Sequence, residues 1–226
     1  HTYSATGTYT VTLTATNSAG SDVAAKSNYI TVSPLLNDNF ESYTVGSFPS
    51  SWVADGNATE ISQNNIVNNI SYSSTKSLKL FGSLGDCWAA LAYHSLNTSA
   101  PFEVELAVRN GNEVLSGCNP DRATIGLRNG TSWRNPQRLF VKFDGNGRIY
   151  GGGGLDLGSY NTNTWYLLRI KYERISSSQI RLSYWINNNY VAYETLSAIN
   201  EESQLNNLEI SVLEGSAWFD DIKIIK

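Results

Sequence analysis

Apolar and polar side chains alternate with a period of two through most of this chain. Tyr9, Val11, Leu13 and Ala15 stand against Thr8, Thr10, Thr12 and Thr14, the pattern of a half-buried β-strand. Asn17 to Gly20 reads as a turn, and residues 27–32 as the returning strand. Pro34-Leu35-Leu36 then marks a junction, because proline cannot continue a ladder. Beyond it, strands are predicted from Trp52-Val53 and within 77–81, 87–93, 102–109, 123–127, 138–143, 165–172, 179–186, 190–193, 208–213 and 218–225. Residues 102–109 form the clearest amphipathic strand. Asp144-Gly145-Asn146-Gly147 and Asn187-Asn188-Asn189 predict hairpin turns. The glycines 151–154 follow a strand with no helix start behind them, so a flexible loop or bulge is expected there. No segment sustains a helical period. The chain is therefore expected to be all-β, with a short β segment and linker over 1–35 and a β-sandwich over 36–226.

The last strand poses a chemical question. Strict alternation along Trp218-Phe219-Asp220-Asp221-Ile222-Lys223-Ile224 puts Asp220 on the face of Ile222 and Ile224. If those isoleucines line a core, an inward carboxylate is costly unless a cation meets it. Far upstream, Asn37-Asp38-Asn39-Phe40-Glu41 offers the carboxylate, amide and carbonyl oxygens that calcium prefers. First and last strands of the sandwich are expected to lie together with a calcium ion between them. The alternative is that Asp220 and Asp221 sit at a wet strand edge.

Composition narrows the partners. Across 226 residues, charged side chains make up only 16% and aromatics 12%, which suits short strands and turns better than helices. A net charge of −4 argues against nucleic acid or an anionic membrane as the main partner. No apolar run is long enough to span a membrane, and no signal peptide is present. The chain begins at His1 and contains no Met, so it is expected to be a piece of a longer precursor. Cys87 and Cys118 suit one disulfide in an oxidising compartment; two unrelated thiols are the alternative, since their spacing fits neither a redox pair nor a zinc site. Four Asn-x-Ser/Thr triplets, at Asn57, Asn69, Asn97 and Asn129, agree with an extracellular or cell-surface location but also arise by chance.

Two stretches resemble known families. His1-x-Tyr3, Gly7-x-Tyr9-x-Val11-x-Leu13 and Asn17-x-x-Gly20 resemble the second half of a PKD repeat, an Ig-like spacer of surface proteins and secreted depolymerases. The Trp-x-Phe-Gly-Asp-Gly stretch of such a repeat is absent. So small a piece cannot bury a core, and its apolar face is expected to pack on the larger domain or on another molecule. Asn39-Phe40-Glu41 with Val45-Gly46-x-x-Pro49, Trp165-x-x-Leu168-x-Ile170, Tyr184-Trp185-Ile186-Asn187 and Phe219-Asp220-Asp221-Ile222 resemble the concanavalin A-like, laminin-G-like jelly-roll family. That resemblance covers about 37–226. It implies a jelly-roll sandwich similar to sugar-binding modules whose terminal acidic pair holds a structural calcium. Glu41 and Asp220 are then the foremost ligands, with Asp38 and Asp221 behind them.

Catalytic signatures are thin. Glu103 and Glu105 have the spacing of a retaining glycosidase pair, which needs carboxyl groups about 5–5.5 Å apart. They lie on the polar side of a strand, however, where a solvated sheet face explains them better. His94 beside Tyr93 reads as surface chemistry rather than a base, and no Ser-His-Asp order, phosphate loop or catalytic metal spacing occurs. Binding fits better, because aromatic faces stack on sugar C–H surfaces while polar side chains hydrogen-bond hydroxyls. Trp133 with Arg134, Trp88, Tyr150 and Tyr160 are the candidate contacts. Core packing is the competing role for any Trp, and it is expected to hold for Trp52, Trp165, Trp185 and Trp218. The sequence points to an extracellular, non-catalytic module that binds a polysaccharide or glycoprotein glycan. The runner-up is a structural or adhesion domain whose PKD strands join neighbouring protein subunits, and a polysaccharide-degrading enzyme domain comes third.

Overall fold

The computed structural model describes residues 7–55, 63–84, 89–96, 100–115, 121–129, 137–199 and 202–226. β1 (Gly7–Asn17) and β2 (Gly20–Val32) form an antiparallel hairpin and pair with no other strand. Tyr9, Val11, Ile30 and Val32 are half-buried, while Leu13, Val23 and Tyr29 are more than half exposed. Of the two expected outcomes, packing on the sandwich or on another molecule, the described residues show no strand pairing with the sandwich. Its threonine-rich alternation makes a strand pair, but too few apolar side chains are present to build a second layer.

The rest is a sandwich of two antiparallel sheets. One is ordered β12 (Asp156–Ser159), β11 (Arg148–Gly151), β10 (Arg138–Asp144), β9 (Asp121–Arg128), β16 (Asn207–Val212), β7 (Ala90–Ser95), β4 (Val53–Asp55). The other runs β15 (Asn189–Ser197), β14 (Gln179–Ile186), β13 (Trp165–Arg174), β8 (Phe102–Asn110), β17 (Gly215–Ile225), β6 (Ser77–Gly82), β5 (Asn65–Val67). A three-residue strand, β3 (Leu36–Asp38), pairs with the far half of β17, so the first and last strands of the sandwich do lie side by side. Inner faces follow the period-two pattern: Val104, Leu106 and Val108 from β8 and Leu208, Ile210 and Val212 from β16 are fully buried. Phe102, Phe140 and Tyr172 stack between the layers, with centroids 5.2 and 5.6 Å apart. Each such side chain contributes about 1.5–3 kcal/mol by leaving water.

Alternation fails at one place on β17. Its register against β8 breaks between Asp220 and Lys223, and Asp221 adopts a positive φ of 48°. The break coincides with the point where β17 exchanges β6 for β3 as its neighbour. A bulge inserts residues without a partner and turns the strand. Phe219 therefore joins Ile222 and Ile224 in the core, and Asp220 shares the outer face with Trp218. The expected placement of Asp220 among the isoleucines is corrected by this bulge. It is nonetheless fully buried.

The glycine run also has a structural cause. Gly152 N–H donates to Tyr184 Oη at 3.1 Å and Gly153 N–H to Glu194 Oε1 at 3.0 Å, while Tyr184 Oη–H donates to Glu194. This network ties the β11–β12 turn of one sheet to β14 and β15 of the other. A Cβ on Gly152 would run into the Leu139 carbonyl oxygen, a backbone atom that cannot swing away. Gly152→Ala is expected to cost about 1–3 kcal/mol, a fall of roughly 2–12 °C in melting temperature, measurable by calorimetry.

Candidate functional site

Two polar constructions stand outside the core. The first surrounds the segment 70–76 ahead of β6. Asp220 accepts three backbone hydrogen bonds, from Tyr72 (2.9 Å) and Ser73 (3.1 Å) on Oδ2 and from Asp221 (2.8 Å) on Oδ1. Burial raises its carboxyl to about 6 against the pull of those donors. Glu41 grips the same segment a few residues on. Its Oε1 accepts from Thr75 N (2.9 Å) and Lys76 N (2.7 Å), its Oε2 from Thr75 Oγ1 (2.8 Å), and these bonds lower its pKa. Lys76 Nζ donates to the carbonyl oxygens of Glu41 and Tyr43, 2.8 Å each. Glu41 and Asp220 thus meet through one loop. The donor set there, two carboxylates with hydroxyl and carbonyl oxygens, is of the kind a hard cation takes, but each carboxylate oxygen already accepts a protein N–H or O–H, and the Lys76 ammonium holds two of the carbonyls.

Asp38 and Asp221 are used differently. Asp38 Oδ1 accepts from Phe40 N (3.0 Å), and Oδ2 from Trp52 Nε1 (2.9 Å) and Tyr43 Oη (3.0 Å). It fixes the entry turn and the buried Trp52 against the sandwich, with its oxygens occupied by protein donors. Asp221 supplies the left-handed backbone of the bulge. Among the described residues no group of three or more His, Cys, Asp or Glu gathers around a common point.

The second construction is the outer face of the seven-stranded sheet. Register aligns Val53, Tyr93, Glu209 and Gly126 in one row across β4, β7, β16 and β9. The next row runs Asp55, Leu91, Ser211, Thr124, Lys142, Tyr150 and Asp156, reaching β12. Glu209 and Arg128 are completely buried on this face. Arg128 Nη2 lies 3.2 Å from Asp55 Oδ2, its Nε 3.5 Å from Glu209 Oε2, and its guanidinium 4.6 Å over the Tyr93 ring. Ser211 Oγ donates to Glu209 Oε1 (3.3 Å) and shares a proton contact of 2.5 Å with Thr124 Oγ1. Desolvation lifts the Glu209 carboxyl to about 7 even though Arg128 and Ser211 favour its anion. Further along, Lys142 Nζ is held 3.1 Å from both Asp121 oxygens and 5.7 Å over the Tyr150 ring. Chemically, the centre of this face is a closed polar hub, and the groups it offers to a ligand are the half-buried Tyr93, Asp121, Lys142 and Tyr150.

Of the expected glycan contacts, Tyr150 lies half-buried on this face. Tyr160 does not belong to it. Its ring packs edge-on against Phe143 at 5.0 Å, its hydroxyl donates to the Asp144 carbonyl (2.6 Å), and burial raises its pKa to about 12. That makes it a core residue. Trp133, Arg134, Trp88, Cys87 and Cys118 lie outside the described residues. Trp52 is buried as expected, and His94 is half-buried with its ring 5.4 Å from it. Trp165, Trp185 and Trp218 instead sit half-buried on the outer face of the eight-stranded sheet, Trp165 against Tyr72 at 5.8 Å. Glu103 and Glu105 form the expected solvated face, paired with Arg169 (2.7 Å) and Lys223 (3.4 Å).

Sheet order and twin antiparallel layers make the large domain a jelly-roll β-sandwich, and solved structures agree. An endo-acting O-glycanase of the human gut microbiota superposes with a TM-score of 0.56 at 10% identity, covering 86% of this chain and 99% of that one. A carbohydrate esterase from the Shiga toxin-encoding bacteriophage phi24B gives 0.55 at 15% identity, over 85% and 98%. An endo-β-1,4-glucuronan lyase from the fungus Trichoderma reesei gives 0.51 at 11% identity, over 82% and 95%. Likeness at such identities establishes the fold. Residues 1–30 match the PKD domain family. No curated protein sequence matches. No helix among the described residues is long and apolar enough to cross a membrane.

Proposed function

We propose that this chain is an extracellular glycan-recognition module that takes a polysaccharide or glycan chain across the outer face of the seven-stranded sheet. The observation that carries this reading is the register-aligned strip on which Tyr93, Lys142 and Tyr150 stay half-buried, braced from beneath by the buried Arg128 and Thr124. Rigid strands hold two rings and a cation at fixed spacing there, which suits a ligand of C–H faces and hydroxyls. Trp133 and Arg134 fall in the chain between β9 and β10, two strands of this same strip. Similar folds in an O-glycanase, a carbohydrate esterase and a glucuronan lyase support the ligand class. A structural calcium held by Glu41 and Asp220 completes the proposal by fixing the segment 70–76 to both ends of the domain.

The test is a panel of immobilised neutral and acidic polysaccharides probed with the wild-type chain and Trp133→Ala. Saturable retention of the wild type, weakened about tenfold or more in the variant, is expected. No saturable retention on any polymer would refute the proposal.

A further inference from the structure

We infer that the outer face of the eight-stranded sheet carries, at its β14–β15 edge, a second carbohydrate platform onto which a pyranose chain lies flat. The site shares its ligand class with the proposed function but stands on the opposite sheet, and it survives if the first face binds nothing.

Along β14 the core takes Ile180, Leu182 and Tyr184, leaving Arg181, Ser183 and Trp185 outward. Register sets Tyr193 opposite Ser183 and Tyr190 opposite Trp185, with a shift between Tyr184 and Trp185 that leaves Val191 unopposed. Tyr190 and Tyr193 are three apart in sequence, and ordinary alternation would send them to opposite faces. The bulge instead brings both out beside Trp185. They are 55% and 58% exposed, far more than a packing role requires.

The rings are also held in place before any ligand arrives. Trp185 meets Tyr190 edge-to-face at 5.3 Å and 65°, with the Arg169 guanidinium 4.9 Å over its other contact surface. The Arg181 guanidinium lies 5.1 Å from the Tyr193 centroid. Pre-ordered side chains lose little entropy on binding. Charge decides between ligands. Elsewhere on this face Arg169 is matched by Glu103, Lys171 by Glu173 and Lys223 by Glu105, while Arg109 lies over the Trp218 ring and Lys79 over Phe81. Arg181 has no ion pair among the described residues, and its guanidinium lies against the exposed Tyr193 ring. Three rings beside a guanidinium without a carboxylate partner suit pyranose C–H faces and a hydroxyl or carboxylate oxygen. Among the described residues Val191 is the one exposed aliphatic side chain of the strip, so its apolar area is mainly ring face.

The experiment is affinity electrophoresis and calorimetry with two soluble probes, hydroxyethylcellulose and polygalacturonate. Four proteins are compared: wild type, Tyr190→Ala/Tyr193→Ala, Arg181→Ala, and Lys142→Ala/Tyr150→Ala from the other sheet. The double tyrosine variant is expected to lose at least tenfold in affinity for one probe or both, with its melting temperature within a few degrees of wild type. Binding to both probes assigns Arg181 to hydroxyl oxygens, and binding to polygalacturonate alone assigns it to carboxylates. If the Lys142/Tyr150 variant keeps binding that the tyrosine variant loses, the first face fails and this platform stands. Unchanged affinity of the tyrosine variant for both probes would overturn the inference. So would a concentration-dependent dimer, seen by sedimentation and abolished by Tyr193→Ala, because the strip would then be an interface between copies.

Discussion

Arg128→Ala is expected to destabilise the sandwich by about 3–5 kcal/mol, a drop of roughly 6–20 °C in melting temperature. Arg128 and Glu209 are fully buried and 3.5 Å apart, so removing the guanidinium strands a carboxylate that water cannot reach. Asp55 loses a cation and Tyr93 loses the charge over its ring in the same step. The loss should shrink in acid, because a protonated Glu209 no longer needs the partner. The wild type carries the same signature in weaker form. Its Glu209 carboxyl is raised from an ordinary 4.5 to about 7, so the folded state prefers the protonated acid. The stabilisation this brings is complete below about 4.5 and is lost as pH rises through about 7, on the order of 3 kcal/mol across the window. Glu209→Gln cannot ionise and should show a flatter stability profile between those limits. A set of urea melts from pH 4 to 8 on the wild type and both variants checks all three statements. Equal slopes for wild type and Glu209→Gln would contradict them.

The second large effect concerns the proposed calcium ion. With calcium at about a thousand times its dissociation constant, linkage gives about 4 kcal/mol of extra stability, or roughly 8–16 °C over the chelated protein. Asp220→Ala should abolish that difference. It should also melt early in chelator, because Tyr72, Ser73 and Asp221 lose the acceptor for their backbone N–H groups. Each buried donor left without a partner costs about 1–3 kcal/mol. Asp38→Asn separates the roles. It should weaken the Trp52 anchor at 2.9 Å while leaving the calcium increment intact. Identical melting curves in calcium and in chelator would remove the ion from the structure's explanation.

Much of the architecture was legible from periodicity, and each gap has a physical origin. Strands such as β8 and β16 alternate cleanly because one face meets the core, and the Asn187-Asn188 turn was legible because both residues tolerate positive φ, here 51° and 66°. Short β3 and β5, of three residues each, carry too little pattern to be seen alone. The bulge at Asp220 could not be read, because nothing local marks the point where β17 changes neighbours. Consequently Asp220 was expected on the core face and is found buried on the other. The hub of Arg128, Glu209 and Tyr93 escaped for a related reason. Alternation places Glu209 outward, but only register brings it beside Tyr93 and Gly126 from strands more than eighty residues away on either count of the chain for the first and the last. Tyr160 reads as a loop platform because it lies near the glycine run, while its actual neighbours are Phe143 and the Asp144 carbonyl. The pairing of first and last strands was correctly anticipated from the acidic ends of the domain.

Calorimetric titration of whichever polymer the wild type retains best, repeated with Lys142→Ala/Tyr150→Ala, tests the glycan face most directly. These two side chains sit half-buried at the exposed end of the strip, so their removal should spare the fold. An affinity at least tenfold weaker, with an unchanged melting temperature, is the expected result. Equal affinity for the double variant and the wild type would contradict the assignment of this face to sugar binding.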